Sequence, residues 1–184
     1  MQRRKIAAKY LQTRNHYLWH HQWLLLSCGD FKKNDFNCMT VGWGGIGTMW
    51  SRPFVQVVVR PTRYTHQFME RYPDFTLCAF GPEYQKDLNL LGSKSGRDGD
   101  KLPETALTPV RSTIVQAPGY EEAELILECR KIYRSHFRPA DFLDPAIEEK
   151  YPEKDYHTVY YGEIVVIFGT EEYCSGYGKD HGIQ

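Results

Sequence analysis

The β-branched and aromatic residues of this chain fall in short runs whose separations leave no regular succession of helical crossovers, and that spacing constrains the architecture more than any other feature. Trp23 to Ser27 reads as a strand, and Cys28 to Asp35, rich in Gly, Asp, Lys and Asn, as the turn that follows. A second strand begins at Phe36 and runs through Met39, Val41 and Trp43 until Gly44, Gly45 and Gly47 break regular pairing. Pro53 opens a third run, Val55, Val57, Val58 and Val59, which ends at Arg60 and Pro61. Phe75 to Phe80 is a further strand, and strand-like residues recur around Val110 to Val115. In Tyr120 to Tyr133 the glutamates favour a helix, yet Ala123, Leu125, Leu127, Cys129 and Tyr133 fall at even separations, and the strand reading is preferred. Tyr156 to Phe168 is a long final strand with a bulge or kink at Gly162.

Helical signals are short. Thr62 is the expected N-cap of a helix in which Tyr64, Phe68 and Tyr72 fall at i, i+4 and i+8 and Pro73 ends the run. Pro82 to Leu91 reads as a second short helix, Gly92 to Asp100 as a charged glycine-rich loop, and Asp144 to Tyr151 as a short surface helix. Six or seven strands with only short helices between them predict a mainly β, antiparallel barrel, closed or partly closed, because parallel strands need regular crossovers. At 184 residues the chain suits a single domain, 1–184, with 1–21 as a basic N-terminal arm or helix.

Charge narrows the function. The 23 basic and 23 acidic side chains cancel, which argues against a nucleic-acid-binding domain. Within that balance residues 1–33 carry seven Lys or Arg against Asp30 alone, so the arm is expected to dock on its own acidic body, on a second subunit or on an outside partner. No apolar run approaches the roughly 18 residues of a membrane helix, and the N-terminus lacks the apolar stretch of a secretory signal, so a soluble cytoplasmic protein is expected. Cys28, Cys38, Cys78, Cys129 and Cys174 are odd in number, widely spaced and without a Cys-x-x-Cys pair, which favours free thiols over disulfides or zinc.

Three stretches carry possible chemistry. Asn37, Cys38, Met39 and Thr40, followed by Trp43 and glycines, can bring backbone amides close to a planar ligand, or can be an ordinary bulged strand. Arg60, Pro61, Thr62, Arg63, Tyr64 and Thr65 stand where a strand hands over to a helix; they suit a phosphate, or a helix cap with solvated arginines. Ser93, Lys94, Ser95, Gly96, Arg97, Asp98, Gly99, Asp100 and Lys101 suit a loop closing over a phosphate or a polyol, or a solvated turn, and match neither a Walker loop nor a dinucleotide fingerprint. The seven histidines show no metal spacing, so no metal is expected, and no nucleophile elbow or carboxylate pair stands out. That pattern suits a protein whose bound cofactor carries the reaction.

In order along the chain, these stretches resemble the flavin reductase-like family of FMN-binding split barrels, which includes the flavoredoxins. The resemblance runs over about residues 22–168. It rests on Asn37, Met39, Thr40, Trp43 and Gly44; on Trp50, Pro53, Val57, Val59, Arg60, Arg63, Tyr64 and Thr65; on Phe75, Leu77 and Phe80; on Ser95, Gly96, Arg97, Asp98, Asp100 and Lys101; on Glu128 and Cys129; and on His157, Tyr161, Gly162 and Glu163. It implies a Greek-key split barrel holding FMN noncovalently. Asn37, Met39 and Thr40 would lie against the isoalloxazine ring, with Cys38 contributing backbone and Trp43 on the same strand. Arg60, Arg63, Tyr64 and Thr65 would hold the phosphate and ribityl oxygens, and Lys94, Ser95, Gly96 and Lys101 would close on that end. His157 would approach the flavin, in cis or from a second subunit, as the candidate catalytic side chain. The resemblance further implies a homodimer with FMN near the subunit boundary, NAD(P)H as co-substrate, and electrons passed to free flavin, iron or a partner protein. The alternative is an FMN electron carrier without its own nicotinamide reaction.

Overall fold

The computed structural model describes residues 2–176. An N-terminal arm carries β1 (Arg4–Lys5) and one helical turn, α1 (Asn15–Tyr17), which continues as a π-type turn over Leu18–Gln22. There follow β2 (Leu24–Asp30), β3 (Asp35–Val41), β4 (Gly44–Met49), β5 (Arg52–Val59), α2 (Tyr64–Arg71), β6 (Asp74–Ala79) and α3 (Gln85–Ser93). The chain ends with β7 (Pro109–Val110), β8 (Gly119–Tyr120), β9 (Leu125–His136) and β10 (Thr158–Gly169).

Seven strands pair antiparallel in the order β3-β2-β6-β9-β10-β5-β4, with β1 added to β10; β7 and β8 form a separate ladder. The two edges, β3 and β4, are consecutive in the chain and joined only by Gly42 and Trp43. A link that short spans roughly 10 Å, so the sheet must curl until its edges approach each other, although no ladder joins them. The result is the expected mainly β barrel, split along the β3/β4 seam.

Side-chain alternation builds two cores. Leu24 and Leu26 of β2 point into the barrel with Phe75, Leu77, Leu127 and Tyr160. Leu25 points outward beneath α3, with Cys38, Cys78, Leu88, Leu91 and Ile126. Every residue of β2 and β6 is therefore buried, as expected for strands covered on both faces. In β10 the register shifts at Tyr161/Gly162, where a Cβ on Gly162 would lie 2.5 Å from the Phe75 ring. The basic arm lies on its own chain: the Ile6 amide donates to the Ile167 carbonyl (2.9 Å), and Arg3 donates to the carbonyls of Glu121 (2.6 Å) and Ala123.

Three local expectations are overturned. Gly44, Gly45 and Gly47 do not interrupt the sheet but form β4, paired in register with β5. Gly44 is there for close approach, since a Cβ would lie 2.3 Å from the Gln56 carbonyl and 2.5 Å from the Trp19 ring. Thr62 does not cap α2; its hydroxyl turns to Asp155 (3.3 Å), and Arg63 occupies the N-cap position without a side-chain cap bond. The strand expected through Val115 stops at Val110, because the amides of Thr113, Ile114 and Val115 donate to the Glu128 carboxylate instead (2.7, 2.8 and 3.3 Å). Asp74 takes the amides of Gln116 and Ala117 in the same way, and burial pushes its carboxyl up from the usual range.

Candidate functional site

At the end of β3, beside the seam, lies a cavity of about 380 Å³ lined by Met39, Thr40, Val41, Gly42, Trp43, Val58, Arg60, Thr62, Arg63 and His157. Its size falls within the range of small-molecule sites. One wall is an edge strand: β3 pairs with β2 alone, so the backbone groups of its outer side have no ladder partner among the described residues. The facing wall is the entrance to α2. A hydrogen bond from Asn37 Nδ2 to Thr65 Oγ1 (2.7 Å) joins the two walls.

The α2 entrance is electrostatically unusual. Its first turn contains no acidic residue, Arg63 stands at the N-cap, and the amides of Tyr64 and Thr65 have no acceptor among the described residues. A helix N-terminus carries partial positive charge, so cations there are unfavourable unless an anion joins them. Burial and then the neighbouring charge of Arg60 hold the Arg63 guanidinium below its ordinary range, as expected where two cations crowd one entrance. Open amides and guanidiniums together fit a phosphate.

The remaining expected site residues are placed as follows. Cys38 faces the outer core, where burial pushes its thiol up to about 11, so only its backbone is available to the seam. Thr40 donates to the Leu88 carbonyl and Arg63 to the Gly92 carbonyl, which docks the end of α3 against the site. Arg60 is held by Asp155 (2.7 Å) and the Lys150 carbonyl (2.7 Å). Gly96 sits so close to the joined walls that a Cβ would lie 2.3 Å from Asn37 Oδ1 and 3.0 Å from the Tyr64 ring. Ser95 Oγ accepts from the Arg97 amide (3.2 Å) and shapes that turn. The two lysines of the loop have other partners: Lys94 pairs with Glu104, and Lys101 is buried with its ammonium on the carbonyls of Leu91 (2.7 Å) and Lys94 (3.0 Å), where it caps the C-terminal end of α3.

His157 lines the cavity with its ring centroid 5.2 Å from that of Trp43, and its Nδ1 is 2.9 Å from the Tyr151 hydroxyl. Burial, reinforced by Arg60, lowers its pKa to about 4, so the ring is neutral near pH 7. Val41, Gly42 and Val58, which also line the cavity, and Tyr151, which contacts His157 without lining it, are missing from the sequence reading. Their signals were ordinary strand valines, a link glycine and a tyrosine in a surface helix. Arg97, noted only as part of a loop, donates to the Thr62 carbonyl (2.9 Å) and lies over the Tyr64 ring (5.4 Å). The exposed rings of His16, His20 and His21 gather on the arm, but no group of three ligating side chains among the described residues is placed to hold a metal. His181 lies outside the described residues.

Comparison with known proteins bears on the family and the fold. The model of the flavin reductase like domain matches residues 21–174. An uncharacterized protein of Pyrococcus abyssi is 27% identical over 146 residues, covering 78% of this chain and 72% of the relative. Among solved structures, flavoredoxin from Methanosarcina acetivorans superposes with a TM-score of 0.63 at 21% identity, over 84% of this chain and 71% of the other. Flavoredoxin of Desulfovibrio vulgaris gives 0.63 at 24%, over 81% and 69%. An FMN-binding protein from Thermus thermophilus gives 0.67 at 19%, over 92% and 81%. These structures share the fold of this chain.

Proposed function

The chain belongs to the flavin reductase like domain family, and from that premise we propose that it binds FMN noncovalently in the seam cavity and works as an NAD(P)H-dependent flavin oxidoreductase. The observation that carries the reading is the convergence of an unpaired strand edge and an uncapped cationic helix entrance on one cavity, joined through Asn37 and Thr65. The outer edge of β3 at Asn37, Cys38, Met39 and Thr40 would receive the ring, with Trp43 beside it. Arg63 and the amides of Tyr64 and Thr65 would take the phosphate. Arg60, Ser95 and Gly96 would shape that end, and Lys94 and Lys101 would contribute through the loop they hold.

Bound FMN would supply the redox chemistry, with a reduced nicotinamide as the hydride source and free flavin, iron or a protein as the electron acceptor. The chain's own part is to bind, orient and exclude water, which is why no nucleophile or carboxylate pair is needed. His157, neutral and on the cavity wall, is the side chain we assign to the reacting end. A second reading, an FMN electron carrier without its own nicotinamide reaction, is favoured by the lack of any dinucleotide fingerprint in the sequence.

We also propose that the protein is a homodimer whose second copy covers exposed aromatic rings of the β4 edge, Trp43 at the cavity and Trp50 packed on Tyr133 past the far end of the strand, each about half exposed. Five free cysteines, and no described helix long and apolar enough to cross a membrane, are in keeping with work in the reducing cytoplasm. The purified protein should be yellow and release FMN on denaturation. Anaerobic NADH or NADPH should bleach it, and colour that persists would select the carrier. A colourless protein that takes up no added FMN would refute both readings, and light scattering that gives a monomer mass would refute the dimer.

A further inference from the structure

Tyr151 and His157 are joined by a hydrogen bond whose direction their surroundings decide. Both side chains are buried, and the Tyr151 hydroxyl has no partner other than His157 Nδ1 among the described residues. If that hydroxyl accepted a proton from Nδ1–H, its own proton would be left buried without an acceptor, which is strongly disfavoured. Donation from the hydroxyl to Nδ1 leaves neither group unmet. The Arg60 guanidinium, 5.0 Å over the Tyr151 ring, strengthens the phenol as a donor. Burial pushes Tyr151 up, so the phenol keeps its proton, while His157 carries a single proton at neutral pH.

With Nδ1 accepting, that one proton resides on Nε2. Nε2 has no protein partner among the described residues and is not sealed within the core, and the ring lines the cavity beside Trp43. Besides Tyr151, the charged groups acting on the ring are Arg60, Arg63 and Asp155, and Asp155 is already paired with Arg60.

We propose that Tyr151 is a positioning residue: its hydroxyl fixes His157 as the Nε2–H tautomer and presents that N–H to the cavity as a neutral donor for an oxygen or nitrogen of the bound ring that gains electron density on reduction. A donor placed where negative charge develops stabilises the reduced state without repelling the neighbouring arginines. The proposal rests on the flavin reading above.

The test is long-range ¹H–¹⁵N NMR of the imidazole nitrogens at pH 7 in flavin-free protein, together with the midpoint potential of bound FMN. Wild-type His157 should show a bare Nδ1 and a protonated Nε2, and Tyr151→Phe should give a mixed tautomer population and a lower potential, with FMN affinity changed by less than about twofold. A protonated Nδ1 in the wild type, or an unchanged tautomer and potential in Tyr151→Phe, overturns the proposal. The wild-type spectrum needs no variant, so a poorly folding Tyr151→Phe does not shield the idea. An Nε2–H ring in a protein that takes up no FMN supports the role of Tyr151 and overturns the flavin reading alone.

Discussion

The two sides of the barrel treat their polar groups in opposite ways. On the flank built by β2, β6 and the first residues of β9 the strands are buried, and the buried side chains Ser27, Asp74, Thr76 and Glu128 all have hydrogen-bond partners within the chain. Glu128 accepts three amides and Asp74 two; Ser27 bonds to the Tyr120 hydroxyl (2.8 Å), and Thr76 donates to the Pro118 carbonyl (2.6 Å). On the seam flank β4 is largely exposed, the edge of β3 is unpaired, the first amides of α2 lack acceptors, and His157 Nε2 is open to the cavity. Buried polar groups are normally satisfied, so the open groups gathered at the seam are the ones that the proposed flavin would complete. The closed flank stabilises the fold and leaves the seam free to be electrostatically incomplete.

Perturbing one flank should therefore change stability, and perturbing the other should change binding. The largest effect is expected from Glu128→Ala, which strips the acceptor from three amides of the 113–115 turn. It should lose about 2–5 kcal/mol in urea unfolding, while the folded fraction keeps its FMN affinity. A loss below about 0.5 kcal/mol would mean that the closed flank is not held by this carboxylate.

Arg63→Ala should weaken FMN binding by about 1.5–3 kcal/mol, measured by flavin fluorescence, with stability changed by less than about 1 kcal/mol, because removing a cation from the N-terminus of α2 offsets the lost bond to the Gly92 carbonyl. A stability loss with intact affinity would invert the comparison. Gly96→Ala comes next: its methyl must displace Asn37 or Tyr64, and about a tenfold loss in affinity is expected, or 1.4 kcal/mol. If affinity holds, the 92–101 loop does not shape the site.

A separate effect concerns pH and is read as a slope of stability rather than as a binding constant. The folded pKa of His157, about 4, lies below the unfolded value near 6.5, so folding favours the neutral ring. Its contribution to stability is complete above pH 6.5 and is lost as the pH falls from there towards 4, since the unfolded chain binds the proton first. His157→Asn should flatten that part of the urea-midpoint profile, and an unaltered slope would remove His157 as its source.

Much of this division was legible in the sequence. The valines of β5, the even spacing from Ala123 to Cys129 and the aromatic run of β10 carried the barrel, because burial of one sheet face writes a period of two into the chain. The convergence of Asn37–Thr40 with Arg60–Thr65 was expected from family resemblance, and their contact through Asn37 and Thr65 is a tertiary fact. What stayed hidden was hidden by distant partners. Gly44, Gly45 and Gly47 looked like breakers because the Gln56 carbonyl and the Trp19 ring that require a missing side chain at Gly44 lie elsewhere in the sequence. Thr62 looked like a cap until Asp155, 93 residues away, claimed its hydroxyl. The strand beyond Val110 failed because Glu128 and Asp74 captured the amides that a ladder would have used. Tyr151 gave no signal, since its role exists only through His157 and Arg60.

The central claim is that the α2 entrance holds the phosphate of a flavin whose ring lies along β3, and the direct test compares FMN with riboflavin, which lacks that phosphate, in wild type and Arg63→Ala. The account predicts that wild type binds FMN at least about tenfold more tightly than riboflavin and that Arg63→Ala removes most of the difference by weakening FMN alone. Equal affinities in wild type, or a preference for FMN that survives Arg63→Ala undiminished, would contradict it.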